Sequence, residues 1–199
     1  LRLQDGQFHL LQEHLARMAG SASYFGFSWQ PAAVQACLQA LTCAREQGSY
    51  RVRLTSSRAG QPAAQAFALE PSVQPVRFNL SELPIESMGR EHEFLVHKTT
   101  RREHYESRLR PAPGVFDTLL WNERGELTEF TRGNLALKIG GRWLTPALHC
   151  GLLAGTERAD LLARGKITEA VLRVEDLRRA EELAFFNSVR GWLRAHLSI

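Results

Sequence analysis

The stretch DTLLWNERGELTEFTRGNLAL, residues 117–137, decides the fold, because strand-like segments alternate in it with turn residues. Val115–Trp121 is predicted to be a strand, and Glu126–Thr131 is predicted to return beside it after a tight turn. Side chains alternate along a strand, so Leu127 and Glu129 should point to the same face. If Leu127 is buried, we expect Glu129 to be buried with it.

The segment that follows is predicted to be a β-hairpin and then a helix. Asn134–Ile139 and Arg142–Thr145 flank the pair Gly140-Gly141, which is typical of a two-residue turn. Thr156–Arg164 is expected to be a helix that begins directly after Gly155. The start of such a helix is a suitable site for an anion.

Towards the N-terminus, an apolar stripe at spacings of four and three predicts a helix, with a polar flank of His14, Arg17 and Ser21. A second helix is predicted after Pro31, followed by short strands between residues 50 and 80. The stripe consists of Leu11, Leu15, Met18, Ala22 and Phe25.

These elements predict an α/β (α+β) protein with two lobes. We expect an N-terminal α+β lobe over residues 1–85, a polar linker over 86–93 and a C-terminal lobe over 94–199. Within the second lobe, Phe94–His97 is predicted to be a short strand, and a helix is predicted to follow it and end near Arg110.

Composition narrows the classes of function. With 44% hydrophobic and 23% charged residues over 199 positions, the chain has the balance of an ordinary globular protein. Its net charge of +4 is spread too evenly for a nucleic-acid groove, although it suits a small anionic substrate. Neither a membrane-spanning stretch nor a signal peptide is present, so we expect a cytoplasmic protein. The three cysteines form no CxxC pair and the histidines show no matching spacing, so we expect no metal site.

Four features converge on one kind of chemistry. Lys98 follows an apolar segment, Glu129 lies on an inward face, Arg17 flanks a core stripe, and Gly155 opens a helix. A buried amine, a buried carboxylate and two anion-binding groups are what pyridoxal phosphate requires of a protein. Each residue alone has a simpler interpretation, as a surface or edge-strand charge.

Five stretches now carry a resemblance to a known family. The sequence resembles the class IV aminotransferases, which are pyridoxal-phosphate enzymes of fold type IV. Within them it is most similar to 4-amino-4-deoxychorismate lyase-like domains, found free or fused behind aminodeoxychorismate synthase component I. The stretches, in family order, are LRLQDGQFHLLQEHLARMAGSASYFGF (1–27), HKTTRREHY (97–105), the stretch 117–137, WLTPALHCGLLAGTERADLL (143–162) and FFNSVRGW (185–192).

The resemblance implies roles for single residues. Lys98 corresponds to the Schiff-base lysine, and the cation of Arg102 nearby would help to lower its pKa. Glu129 corresponds to the carboxylate that faces the pyridine nitrogen and keeps it protonated. Arg17 corresponds to the arginine that binds the cofactor phosphate, for which a guanidinium is well shaped.

Backbone N–H groups at a glycine-led helix start bind the same phosphate in the family, and here these belong to Gly155, Thr156 and Glu157. Two departures stand beside this match. Ala154 takes the place of a proline that would stiffen the turn, and Glu157 puts a carboxylate near an intended dianion. A side chain of Glu157 that pointed inward would weaken phosphate binding.

The last matching stretch implies substrate contacts. Asn187 and Ser188 correspond to a segment that lines the substrate side, and Arg190 is a candidate for binding a carboxylate, although a plain polar turn explains these residues equally well. Asn134 matches the family asparagine and is interpreted as structural. Three further residues are expected to be positioned near the site without catalysing: His14, His97 and Tyr105.

The implied protein is a two-lobed homodimeric enzyme with its cofactor at the lobe interface and aminodeoxychorismate synthase as a fused or separate partner. We expect the chain to be a domain cut from something longer, or a processed or natural short form. The implied reaction is release of pyruvate from 4-amino-4-deoxychorismate, which yields para-aminobenzoate for folate synthesis. One alternative is a branched-chain or D-amino acid transaminase of the same fold. Another is a non-catalytic dimerisation or docking domain, which the departures at Ala154 and Glu157 favour.

Overall fold

The structure, a computed structural model, describes residues 1–89, 92–109 and 111–198. In chain order its elements are β1 (Arg2–Gln4), β2 (Gln7–Phe8), α1 (Leu11–Tyr24), α2 (Pro31–Cys43), β3 (Ser49–Ser56), β4 (Pro62–Ala68), β5 (Val76–Leu80), α3 (His92–Val96), α4 (Glu103–Glu106), β6 (Asp117–Trp121), β7 (Leu127–Phe130), β8 (Asn134–Ile139), β9 (Arg142–Pro146), α5 (Thr156–Ala163), β10 (Thr168–Ala170), β11 (Glu182–Asn187) and β12 (Gly191–Leu197). The prediction of a mixed α and β fold is confirmed.

The first compact unit, Leu1–Pro71, holds an antiparallel sheet in the order β2-β1-β3-β4 together with α1 and α2. Both helices predicted from the sequence are present. Helix α1 buries Ala22 from its apolar stripe, and α2 buries Val34 and Leu38. Proline at the first turn of α2 agrees with its start at Pro31.

The second compact unit, Ser72–Ile199, holds an eight-stranded sheet in the order β10-β9-β8-β11-β12-β5-β6-β7. A further pairing between β7 and β8, at Glu129 and Asn134, closes six of these strands into a ring. The predicted hairpin between β8 and β9 is confirmed, with positive φ angles of 58° at Gly140 and 72° at Gly141.

Aromatic and aliphatic side chains fill the second unit. Phe130 lies at its centre, with ring centroids 5.1 Å from Phe78 and 5.3 Å from Phe185. All four residues of β7 are buried, because the strand pairs with β6 on one side and β8 on the other. This packing fixes the backbone that carries Glu129.

The division of the chain lies earlier than the 86–93 connection that the sequence indicated. Strand β5 pairs with β12 and β6, so residues 76–80 belong to the second unit, and the 86–93 segment lies inside that unit. Within that segment, Arg90 and Glu91 lie outside the described residues. Local sequence does not assign β5 to the second unit, because the strands that pair with β5 come from distant parts of the chain.

Two predictions around Lys98 are wrong. Phe94–His97 is not a strand, because His92–Val96 forms helix α3; a short apolar run does not by itself distinguish the two. The helix predicted after His97 is reduced to the four residues of α4, and its predicted end near Arg110 lies outside the described residues.

Among the described residues, no helix is long and apolar enough to cross a membrane.

Candidate active site

Glu129 is the central buried acid of the second unit, with 4% of its surface exposed. Its Oε1 accepts hydrogen bonds from Oη of Tyr105 at 2.7 Å and from the backbone N–H of Leu153 at 3.0 Å. Its Oε2 accepts a long hydrogen bond of 3.5 Å from Nδ2 of Asn134. The expectation that Glu129 is buried with Leu127 is confirmed. Among the described partners, Oε2 is therefore the more weakly bonded oxygen.

Burial raises the pKa of Glu129 from 4.5 to about 7. The hydrogen bonds from Tyr105 and Leu153 and the charges of Lys98 and Arg102 oppose this rise in pKa. Because burial outweighs these groups, the carboxyl is protonated more readily than an exposed glutamate. A positive ring nitrogen beside it would favour the ionised form.

Tyr105 lies on α4 with 5% of its surface exposed and is fixed from two sides. Its hydroxyl donates to Glu129, and the guanidinium carbon of Arg102 lies 4.6 Å from the centre of its ring. Arg102 also donates from Nη2 to the backbone carbonyl of Thr131 at 2.6 Å. Burial, and after it the charge of Glu129, raises the pKa of Tyr105 well above 10, so Tyr105 remains a hydrogen-bond donor.

Lys98 lies in the irregular connection between α3 and α4 and is exposed. The expectation of a buried amine is therefore wrong, because Lys98 does not end a core strand. It lines a small cavity together with Phe94, His97, Thr99, Arg101, Arg102, Tyr105 and Leu153. Tyr105 and Leu153 contact Glu129 directly, and the charge of Lys98 acts on the Glu129 carboxyl. Burial lowers the pKa of His97 on the same cavity, while Glu93 opposes that effect.

The helix start predicted at Gly155 is present, since Gly155 caps α5. A Cβ atom at Gly155 would lie 2.1 Å from Oδ1 of Asn134, so any larger residue here would force the Asn134 side chain to move. Thr156 is buried, Glu157 is half-buried and Ala154 is exposed. Backbone N–H groups in the first turn of a helix have no intrahelical acceptor, which suits them to an anion.

Arg17 is half-buried on α1 of the first unit. Its Nη2 lies 3.4 Å from Nδ1 of His14, so the two polar residues predicted to share the flank of the stripe do meet. His14 is buried.

The predicted substrate residues at the end of β11 form a turn. Asn187 accepts the backbone N–H groups of Val189 at 3.0 Å and Arg190 at 2.7 Å, and it donates to the carbonyl of Arg132 at 2.9 Å. Ser188 is buried. In the part of the chain that the structure describes, Asn187, Ser188 and Arg190 are absent from the lining of the Lys98 cavity.

Arg190 lies elsewhere in the second unit. It donates from Nη1 to Oγ of Ser72 at 2.9 Å, and its guanidinium carbon lies 5.9 Å from the centre of the Phe116 ring. Its role in binding a substrate carboxylate stays a prediction.

These groups fit pyridoxal phosphate in the chemistry that they offer. Oε2 of Glu129 is weakly bonded and could accept a ring N–H, Lys98 lines the adjoining cavity, and α5 begins directly after Gly155. Tyr105, which the sequence marked as positioned but not catalytic, donates directly to Glu129. Leu153 also contacts Glu129, and nothing in the sequence marks it.

Comparison with known proteins finds similar proteins along nearly the whole chain. A Schizosaccharomyces pombe protein named "Putative aminodeoxychorismate lyase" is 32% identical over 196 residues, which cover 94% of this chain and 84% of that protein. The crystal structure of a "Putative amino-acid aminotransferase" from Mesorhizobium loti is 35% identical, with a TM-score of 0.91 and coverage of 100% of this chain and 97% of that chain.

A third similar structure is a hypothetical aminotransferase from Mycobacterium tuberculosis in its PLP-bound form. It has a TM-score of 0.78 at 21% identity and covers 100% of this chain and 79% of that one. At this identity the similarity shows the fold alone. The sequence profile described as amino-transferase class IV matches residues 1–197. The chain therefore belongs to the class IV aminotransferase family and is an enzyme of fold type IV.

Proposed function

We propose that this protein is a pyridoxal-phosphate-dependent lyase that releases pyruvate from 4-amino-4-deoxychorismate and yields para-aminobenzoate, a precursor of folate. The observation that carries the proposal is the buried carboxyl of Glu129, which is held by neutral donors next to the cavity of Lys98. Similarity to the S. pombe protein along most of both chains supports the lyase reaction within the family.

The cofactor would be held by residues already described. Oε2 of Glu129 would accept the ring N–H, and the backbone N–H groups of Gly155, Thr156 and Glu157 would bind the phosphate. Arg17, on the first unit, keeps its phosphate-binding role as a prediction. When bound, pyridoxal phosphate supplies an aldehyde that links to a lysine amine and a ring that draws electrons from the substrate.

The residues of this chain divide the remaining work. The amine of Lys98 removes the proton from the substrate carbon that bears the amino group, and it returns a proton as the ether bond to the enolpyruvyl group breaks. Glu129, held at Oε1 by Tyr105 and Leu153, keeps a negative charge at the ring nitrogen. Aromatisation of the product supplies the driving force.

The test is reconstitution of the purified protein with pyridoxal phosphate. We expect an absorbance band near the visible edge that borohydride abolishes, leaving a label that peptide mapping assigns to Lys98. The sequence has three lysines, Lys98, Lys138 and Lys166, so the labelled peptide is unambiguous. Addition of 4-amino-4-deoxychorismate should then release pyruvate.

Lys166→Ala is the matched control, because Lys166 is also exposed. Lys98→Ala should lose both the label and the pyruvate release, while Lys166→Ala should keep both. A protein that stays colourless with added cofactor, or a label on Lys138 or Lys166, would contradict the proposal.

An amino acid transaminase is the second candidate function. The M. loti structure, whose name describes an amino-acid aminotransferase, is 35% identical to this chain. The match covers 97% of the M. loti chain, which favours this candidate. Lys98 and Glu129 would serve both reactions, because both begin with the same link between cofactor and substrate. Transfer of an amino group to 2-oxoglutarate without pyruvate release would identify the transaminase.

The proposal also includes a homodimer in the cytoplasm that acts beside or fused to aminodeoxychorismate synthase. The family resemblance supports both the assembly and the partner. Light scattering during gel filtration would measure the mass, and a monomer at micromolar concentration would contradict the dimer.

A further inference from the structure

Asn134 contacts three separate parts of the candidate site with one buried side chain, which is 4% exposed. Its Nδ2 donates to Oε2 of Glu129 at 3.5 Å and to the backbone carbonyl of Leu153 at 3.2 Å. Its Oδ1 lies where it would meet a Cβ atom at Gly155 at 2.1 Å. The side chain therefore stands between the acid on β7 and the first residue before α5.

The surrounding backbone fixes Asn134 in this place. It begins β8, where it pairs with Glu129 of β7 and with Phe186 of β11. The N–H of Leu153 also donates to Oε1 of Glu129. Leu153, two residues before Gly155, is therefore linked to Glu129 both directly and through Asn134. The carboxyl and the start of α5 cannot separate without breaking these contacts.

We propose that Asn134 is a positioning residue that holds the Glu129 carboxyl and the Gly155-led start of α5 at a fixed separation, so that ring and phosphate of the cofactor are bound as one ligand. This inference rests on the proposed function, because it assumes that the cofactor is pyridoxal phosphate. It assigns to Asn134 a role in binding that its interpretation as a structural strand residue does not include.

An amide is the side chain that meets these demands. Its NH₂ group donates to a carboxylate and a carbonyl at once, which an aspartate could not do, and it adds no charge beside Glu129. Its oxygen is compact enough to pack against a glycine, so this contact depends on the residue at position 134 and on the residue at position 155. Two groups held rigidly in advance bind the two ends of a ligand more tightly than two groups that move independently.

The test compares the affinities of the purified protein for pyridoxal phosphate and for pyridoxal, which lacks the phosphate. In the wild type, the phosphate should strengthen binding. In Asn134→Ala, that strengthening should fall by about tenfold, the factor that loss of one buried hydrogen bond represents. A general loss of structure would weaken both ligands in proportion and leave the ratio of the two dissociation constants unchanged.

Gly155→Ala disturbs the same contact from the other side while leaving Asn134 in the chain. It should lower the thermal midpoint of the apoprotein and reduce the phosphate contribution. The double variant Asn134→Ala with Gly155→Ala removes the clash, so its thermal midpoint should recover relative to Gly155→Ala. In the double variant the phosphate should still add little to the affinity, because the side chain of Asn134 is absent.

Thr145→Val is the matched control, since Thr145 is fully buried on the adjacent strand and donates to the carbonyl of Leu135 at 2.7 Å. It should lower stability without changing the ratio of dissociation constants. An unchanged ratio in Asn134→Ala, or recovery of the ratio in the double variant, would overturn the inference while leaving the proposed function intact. A wild-type protein that does not bind pyridoxal phosphate would overturn both.

Discussion

Glu126 lies directly before β7 and Glu129 lies within it, and these two buried carboxylates are held in opposite ways. Glu126, 7% exposed, forms an ion pair with Nη2 of Arg124 at 2.7 Å and accepts a hydrogen bond from Nδ2 of Asn122 at 2.8 Å. Glu129, 4% exposed, accepts hydrogen bonds from neutral donors. The bond from Arg124 lowers the pKa of Glu126 to about 2, whereas burial raises the pKa of Glu129 to about 7.

The difference shows what a charged partner in direct contact does to a buried acid. Glu126 is ionised at every physiological pH. It stabilises the turn before β7, because its partner Asn122 lies in that turn and also donates to the carbonyl of Cys150 at 2.9 Å. Glu129 has Lys98 and Arg102 close enough to influence its charge but accepts its described hydrogen bonds from other groups. Its carboxyl can therefore gain or lose a proton when a ligand arrives.

The largest expected effect separates the two acids by activity. In the reconstituted protein, Glu129→Gln should reduce pyruvate release from 4-amino-4-deoxychorismate by about a hundredfold or more, because an amide cannot supply the negative charge at the ring nitrogen. Glu126→Gln should keep activity within a few-fold of the wild type. Steady-state kinetics would measure both, and equal losses would remove the functional distinction between the two residues.

The next effect separates them by the pH dependence of stability. The folded state raises the pKa of Glu129 from 4.5 to about 7, so the stability that its protonated form contributes is complete below pH 4.5 and is lost as pH rises to 7. The loss is on the order of 3 kcal/mol. Relative to the wild type, Glu129→Gln should therefore become more stable between pH 5 and pH 8.

Glu126 should show the opposite window. Its folded pKa of about 2 lies below 4.5, so its contribution is present above pH 4.5 and is lost as pH falls towards 2. Glu126→Gln should lower the thermal midpoint by several degrees at pH 6 and by less at pH 3, since hydrogen bonds to charged groups contribute about 1.5–3 kcal/mol. Thermal unfolding of the apoproteins followed by circular dichroism would measure both windows, and parallel pH profiles for the two variants would contradict the comparison.

The smallest effect concerns Tyr105. Tyr105→Phe removes one donor to Oε1 of Glu129, so the pKa of Glu129 should rise further and its stability window should end at a higher pH. Stability at neutral pH should change by about 1 kcal/mol. Tyr24→Phe, at an exposed tyrosine, is the control and should leave the pH profile unchanged. A profile for Tyr105→Phe that matched the wild type would show that the hydroxyl does not set the charge of Glu129.

Sequence patterns predicted the local parts of this molecule well. The stripe that begins at Leu11 is helix α1, the pair Gly140-Gly141 forms the turn between β8 and β9, and Gly155 caps α5. Each of these depends on residues a few positions apart, so periodicity and turn chemistry are sufficient. Patterns failed at Phe94–His97, where a short apolar run formed a helix and left Lys98 exposed beyond it.

The sequence by itself determined the family, the principal helices and strands, and the presence of a buried acid at Glu129. Only the tertiary structure decided that Tyr105, which lies 24 positions away, donates to that acid and that Asn134 packs against Gly155. It also decided that the pKa of Glu126 is lowered while the pKa of Glu129 is raised, although the two glutamates are only three positions apart. The reason is physical: a pKa depends on burial and on which donors reach the carboxyl, and distant segments supply those donors only after folding.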